Sequence, residues 1–179
     1  MGRSSASQRR MYVMLNPANW PSLLWKNVWL VHSARTAVGA TASLTVARLL
    51  GMPEPYWAAI ATLTVMQSTL GAAWPISKQR FIGTALGAAL GGFLASYFDP
   101  GIIAFFVAIF VLGLICAILH LDQSAYRFAG ITLAIVMLVV RGETTPQLIA
   151  VHRFVEVSLG IAVALALTAL WPEHELTSD

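Results

Sequence analysis

Charge is what this sequence has least of. Only 11% of its 179 residues are Asp, Glu, Lys or Arg, against about 25% in a typical soluble domain. Cysteine occurs once, at Cys116, which excludes an intrachain disulfide and leaves the redox compartment unmarked. The four histidines, His32, His120, His152 and His174, lie far apart without ligand spacing, so no metal site is expected. There is no glycine-rich phosphate loop and no nucleophile elbow, and no cofactor motif. His120 and Asp122, in H-L-D-Q, come nearest to an acid–base pair. The chain is therefore not expected to be an enzyme. Its net charge of +3 is scattered at the ends of apolar stretches rather than clustered, which argues against a nucleic-acid surface.

What is present is apolar. Hydrophobic residues make up 58% of the chain and the mean hydropathy is +0.72. Six apolar stretches, at about 28–50, 57–70, 80–98, 101–119, 124–140 and 148–171, read as membrane spans. The segments between them, G-M-P-E-P, G-A-A-W-P, D-P-G, H-L-D-Q and R-G-E-T-T-P, carry turn chemistry. The expected fold class is all-α, a polytopic membrane protein. Residues 1–27 are expected to form a basic cytoplasmic tail and interfacial helix, 28–172 the six-span domain, and 173–179 a short cytoplasmic tail. Trp20, Trp25 and Trp29 beside Lys26 suit a helix at headgroup level running into the first span.

The stretch from Ser77 to Phe98 has the most pronounced pattern. After Lys78 and Arg80 it runs without charge to Phe98, a length of about 28 Å, close to the hydrocarbon thickness of a bilayer. Gly83, Gly87 and Gly91 recur every fourth residue and form a bare groove on one helix face, suited to close packing with another helix. Arg3, Arg9, Arg10, Lys26, Arg35, Lys78, Arg80 and Arg127 fall on one side of the expected topology. Arg48, Arg141 and Arg153 fall on the other. The positive-inside bias then places both termini in the cytoplasm.

The sequence also repeats. Y-W-A-A-I-A-T-L from Tyr56 aligns with Y-R-F-A-G-I-T-L from Tyr126, at an offset of 70 that pairs Thr62 with Thr132. R-F-I-G-T-A-L-G from Arg80 aligns with R-F-V-E-V-S-L-G from Arg153, at an offset of 73. Each unit holds three spans, an odd number, so the second copy is expected to enter the membrane inverted. Paired inverted repeats are a ground plan of secondary transporters.

Ionisable groups at membrane depth are costly and point to function. Arg35, Arg80 and Arg153 are candidate anion-binding residues, with Thr62 and Thr132 as candidate pathway residues. Glu156 is the candidate proton carrier. Other readings of the same residues stand beside these: Arg35 and Arg80 snorkelling to headgroups, Arg153 and Glu156 forming a structural i,i+3 ion pair, and the threonines bonding back to their own helices.

The motifs R-T-A at Arg35, P-Y-W-A at Pro55, R-F-I-G-T-A-L-G at Arg80, R-F-V-E-V-S-L-G at Arg153 and L-W-P at Leu170 resemble the fusaric acid resistance and aromatic acid exporter family. The resemblance implies a bacterial inner-membrane bundle that exports small aromatic acids, driven by the proton gradient, with a periplasmic adaptor subunit as a partner. Family proteins are often longer, with a second membrane block, so a homo-oligomer, most simply a dimer, is expected here. The other expectation is a non-transporting scaffold that offers its glycine groove to a partner.

Overall fold

The computed structural model describes residues 28–67, 69–99, 101–139 and 144–171. These form six helices and no strand: α1 (Val28–Leu49), α2 (Tyr56–Val65), α3 (Leu70–Tyr97), α4 (Ile102–Ile118), α5 (Gln123–Leu138) and α6 (Pro146–Leu170). The tails and most of the expected interfacial helix, including Trp20 and Trp25, lie outside the described residues.

Four of the expected spans match their helices to within two residues at each end. The second and third divide differently. Backbone at Met66 turns extended, with ψ 120, so α2 stops at Val65. Thr69 then caps α3, its hydroxyl accepting from the Ala72 N–H at 3.3 Å. The G-A-A-W-P segment, expected as a turn, is therefore helical. Pro75 forfeits one backbone bond near the start of a 28-residue helix that can bear the loss. At about 1.5 Å per residue α3 is longer than a bilayer core, and its first ten residues extend the helix ahead of Arg80.

α1 and α4 end alike. After α1 the Gly51 N–H donates to Arg48 O and the Met52 N–H to Ala47 O, both at 3.0 Å. After α4 the His120 N–H donates to Ala117 O at 3.1 Å and the Leu121 N–H to Cys116 O at 2.9 Å. Each turn needs one residue in the left-handed region. Gly51 supplies it at φ 67, and His120 at φ 51.

Beside an apolar core, large charged and large apolar side chains are placed unlike those of a soluble protein. Arg35, Arg153 and Glu156 are among the largest fully buried residues, while Ile102, Ile103, Phe106 and Phe110 of α4 are exposed. Among the described helices, α6 is long and apolar enough to cross a membrane by length and composition alone. Small residues let the helices approach closely. α3 packs against α5 and α6, α2 against α1 and α6, α4 against α5, and α1 against α6, with lighter contacts of α3 to α4, α5 to α6 and α2 to α3.

Candidate functional site

Arg153 sits in the second turn of α6, where it faces the start of α2. Its Nη1 donates to Glu156 Oε2 at 3.2 Å, and its Nη2 pairs with Glu54 Oε2. Glu156 Oε1 accepts the Glu54 backbone N–H at 2.9 Å, and Trp57 Nε1 donates to Glu54 Oε2 at 3.0 Å. The guanidinium lies 4.4 Å from the centroid of the Trp57 ring. Arg153 is thus neutralised by two carboxylates and covered by an indole. Glu54 is the member the sequence reading missed, because P-E-P reads as turn chemistry.

Arg80 has a different environment. It is 7% exposed and lies 4.9 Å from the centroid of the Phe128 ring. No carboxylate among the described residues pairs with it. Its Nε is buried without a hydrogen-bond partner among them, as is that of Arg153. Magnitudes show what this means. A desolvated cation over an aromatic ring gains about 2 kcal/mol or somewhat more, whereas burying an ion costs several kcal/mol. Among the described residues, Arg80 is left short of a counter-charge.

One cavity joins the two arginines. It is lined by Arg80 and Thr84 of α3, Phe128 and Thr132 of α5, Trp57 of α2 and Arg153 of α6, and has room for about one water. Of the residues singled out in the sequence, Arg80, Arg153 and Thr132 meet here. Thr132 also donates to Phe128 O at 3.0 Å, within its own helix.

Arg35 and Thr62 lie elsewhere. Arg35 is fully buried, its Nη1 donating to Trp171 O at 2.8 Å and its Nη2 to Gln67 O. These carbonyls follow the last turns of α6 and α2, where unpaired acceptors and the negative end of the helix dipole favour a cation. Arg35 therefore ties two helix ends together. The Thr62 hydroxyl reaches Ala58 O at 3.0 Å and Gly160 O at 2.9 Å, joining α2 to α6.

The glycine groove of α3 is filled from within the chain. A methyl group at Gly83 would strike Ala125 O, one at Gly87 would strike Ala129 O, and one at Gly91 would crowd Leu133 and Val136, all on α5. Gly160 on α6 stands to Ala58 O of α2 as Gly87 does to Ala129 O. The matching contacts have definite offsets along the chain. From α3 to α6 the offset is 73, as the sequence indicates. From α2 to α5 the contacts match Trp57 to Phe128 and Ala58 to Ala129, an offset of 71 rather than 70. Thr62 and Thr132 are thus not equivalent in their contacts.

Residues 40–167 match the fusaric acid resistance protein-like family. The chain belongs to this family. It is 28% identical over 160 residues to inner membrane protein YeeA of Escherichia coli (strain K12), covering 84% of this chain and 43% of that one. It is 26% identical over 146 residues to inner membrane protein YccS of the same strain, covering 80% of this chain and 20% of that one. The chain thus spans less than half the length of these relatives. No solved structure matches it.

Proposed function

We propose that this chain is a six-span transporter subunit of the bacterial inner membrane that exports small organic anions, aromatic carboxylates among them. The observation that carries the reading is Arg80, a buried guanidinium that lacks a described carboxylate partner and faces a cavity shared with Arg153. A carboxylate supplies the missing charge through paired N–H bonds, and the Phe128 and Trp57 rings suit an aromatic body. As it stands the cavity is too small for such a ligand, so loading it requires the helices to part. Glu156 carries the proton. On taking one it loses charge attraction to Arg153, which couples protonation to the wall of the same cavity. The names of the two E. coli relatives support the inner-membrane location.

The architecture supports two inverted three-helix repeats. Exchanging α1, α2 and α3 with α4, α5 and α6 turns every packed helix pair into another packed pair, with α3 against α6 on the axis. The Arg80–Phe128 and Arg153–Trp57 pairs exchange in the same way, which makes the cavity central. Two such halves can open alternately to either side. The exposed apolar face of α4 meets lipid or a second copy of the chain, and we take the transporting unit to be a homo-oligomer. The scaffold reading is the weaker one, because the groove it would offer to a partner is occupied by α5.

The test is efflux of labelled benzoate from proteoliposomes under an imposed pH gradient. Wild-type protein should empty the vesicles faster than protein-free controls, and Glu156→Gln should abolish the dependence on the gradient. Equal release with and without protein, across a panel of aromatic acids, counts against transport.

A further inference from the structure

Two equivalent turns in this fold are built from different residues. Gly51 and His120 both take the left-handed position after a helix and make the same pair of backbone hydrogen bonds. Glycine does this without a Cβ penalty and histidine does not. Strain of this kind often marks a side chain required for its chemistry. His120 lines a cleft between the start of α3 and the α4–α5 turn, together with Trp74, Lys78, Gln79 and Asp122. Gln79 Nε2 donates to Asp122 Oδ2 at 2.6 Å, which ties the turn to α3 and fixes the cleft walls. Trp74 and Lys78, one helical turn apart, are both exposed. Ala125 forms part of the floor, and Phe128, the ring over Arg80, lies one turn further along α5, an advance of about 4.5 Å.

We propose that this cleft is a second, weaker anion site, a vestibule where a planar aromatic carboxylate lodges before it reaches Arg80. The proposal rests on reading the Arg80 cavity as the central anion site. The Lys78 ammonium and a His120 ring N–H donate to the carboxylate, and the Trp74 indole covers the aromatic body. Asp122 faces the same cleft and offsets the charge of Lys78, so the hold is loose, as suits a site that must pass its ligand inward. The left-handed backbone at His120 holds the imidazole at the cleft. A glycine there would relax the turn and remove the donor.

The experiment uses the full chain in phosphatidylcholine nanodiscs, with labelled benzoate followed by equilibrium dialysis. In an Arg80→Gln background, which removes the central site, weak binding should remain. Adding His120→Gly should reduce it roughly tenfold, as should Lys78→Gln. His120→Gly on its own should melt no lower than wild type and leave the tight, Arg80-dependent binding unchanged. His120→Ala, which keeps a Cβ in the strained turn, should lose weak binding to the same degree. Unchanged weak binding in His120→Gly and His120→Ala overturns the vestibule, as does a lower melting temperature for His120→Gly, which would make the histidine structural. Weak binding abolished when phosphatidylglycerol is added to the nanodiscs would make the cleft a seat for lipid headgroups and also overturn it. Absence of any Arg80-dependent binding would instead count against the central site, so the two failures are distinct.

Discussion

The Arg153 guanidinium lies 4.4 Å from the Trp57 ring, while the indole N–H of Trp57 donates to Glu54, the carboxylate that also pairs with Arg153. Arginine, indole and glutamate thus close a ring of contacts, with Glu156 as a fourth member bonded to both Arg153 and the Glu54 backbone. A two-residue ion pair would tolerate exchange of its charges. This network should not. Combining Arg153→Glu with Glu156→Arg places a new carboxylate against Glu54, so the double variant should be no more stable than either single change. Thermal unfolding of all three in detergent checks this. Recovery in the double variant would show that Glu54 adds little.

Trp57→Phe keeps a ring over Arg153, removes the donor to Glu54 and trims some packing area. A loss of at least about 1 kcal/mol is expected, the usual worth of one hydrogen bond. Trp57→Ala also removes the ring and should cost clearly more. Equal losses for the two, measured by denaturation, would mean that the stacking contributes nothing.

Arg35 should behave as a structural residue. Its two bonds to carbonyls hold the ends of α2 and α6 together, and charged hydrogen bonds are worth about 1.5–3 kcal/mol each. Arg35→Lys cannot span both acceptors with the same fork and should lower the melting temperature while leaving benzoate affinity of the folded protein intact. Weaker binding without a change in stability would return Arg35 to the list of anion-binding residues.

Close packing through glycine gives a graded series. Gly87 and Gly160 each meet backbone of a neighbouring helix, whereas nothing lies within 4 Å of a methyl placed at Gly71. Gly87→Leu and Gly160→Leu should each cost about 1–3 kcal/mol or more through overpacking. Gly71→Ala should be neutral or stabilising by about 0.5–1 kcal/mol. Because α5 fills the groove from within the chain, the loss in Gly87→Leu should not depend on protein concentration. A loss that grows on dilution would place a second chain in the groove.

Much of the fold was legible because apolar length and turn residues mark helices directly. The glycine spacing identified a packing face, although not which helix fills it, since a groove records distance of approach and not its occupant. The α2–α3 boundary misled for a physical reason: Pro75 suggests a break, and Thr69 caps the helix upstream of it. The corresponding contacts of α2 and α5 lie 71 residues apart, where the aligned residues suggest 70. Matching Thr62 to Thr132 scores by identity, whereas the structure pairs Trp57 with Phe128 by their shared place over an arginine. Glu54 went unnoticed because a carboxylate between two prolines looks like a solvated turn, and only the fold brings it to Arg153.

Orientation has a direct chemical test. If both termini are cytoplasmic, residues 99 and 143 lie outside and 122 lies inside. Single cysteines at these positions in a Cys116→Ala background should react with an impermeant thiol reagent at 99 and 143 and not at 122. Labelling at 122 from outside would reverse the topology and place the His120 cleft on the outer face.

The central claim is that Arg80 awaits an anion, and direct binding measures it without the complications of transport. Labelled benzoate should bind the purified wild-type protein in nanodiscs tightly and saturably. Arg80→Gln should remove that tight binding while the protein keeps its fold, because the substitution relieves a buried charge and leaves the Glu54–Arg153–Glu156 network untouched. Arg80→Lys should retain binding in weakened form, since an ammonium cannot form the paired bonds of a guanidinium. Benzoate bound equally well by Arg80→Gln and wild type would contradict the account at its centre.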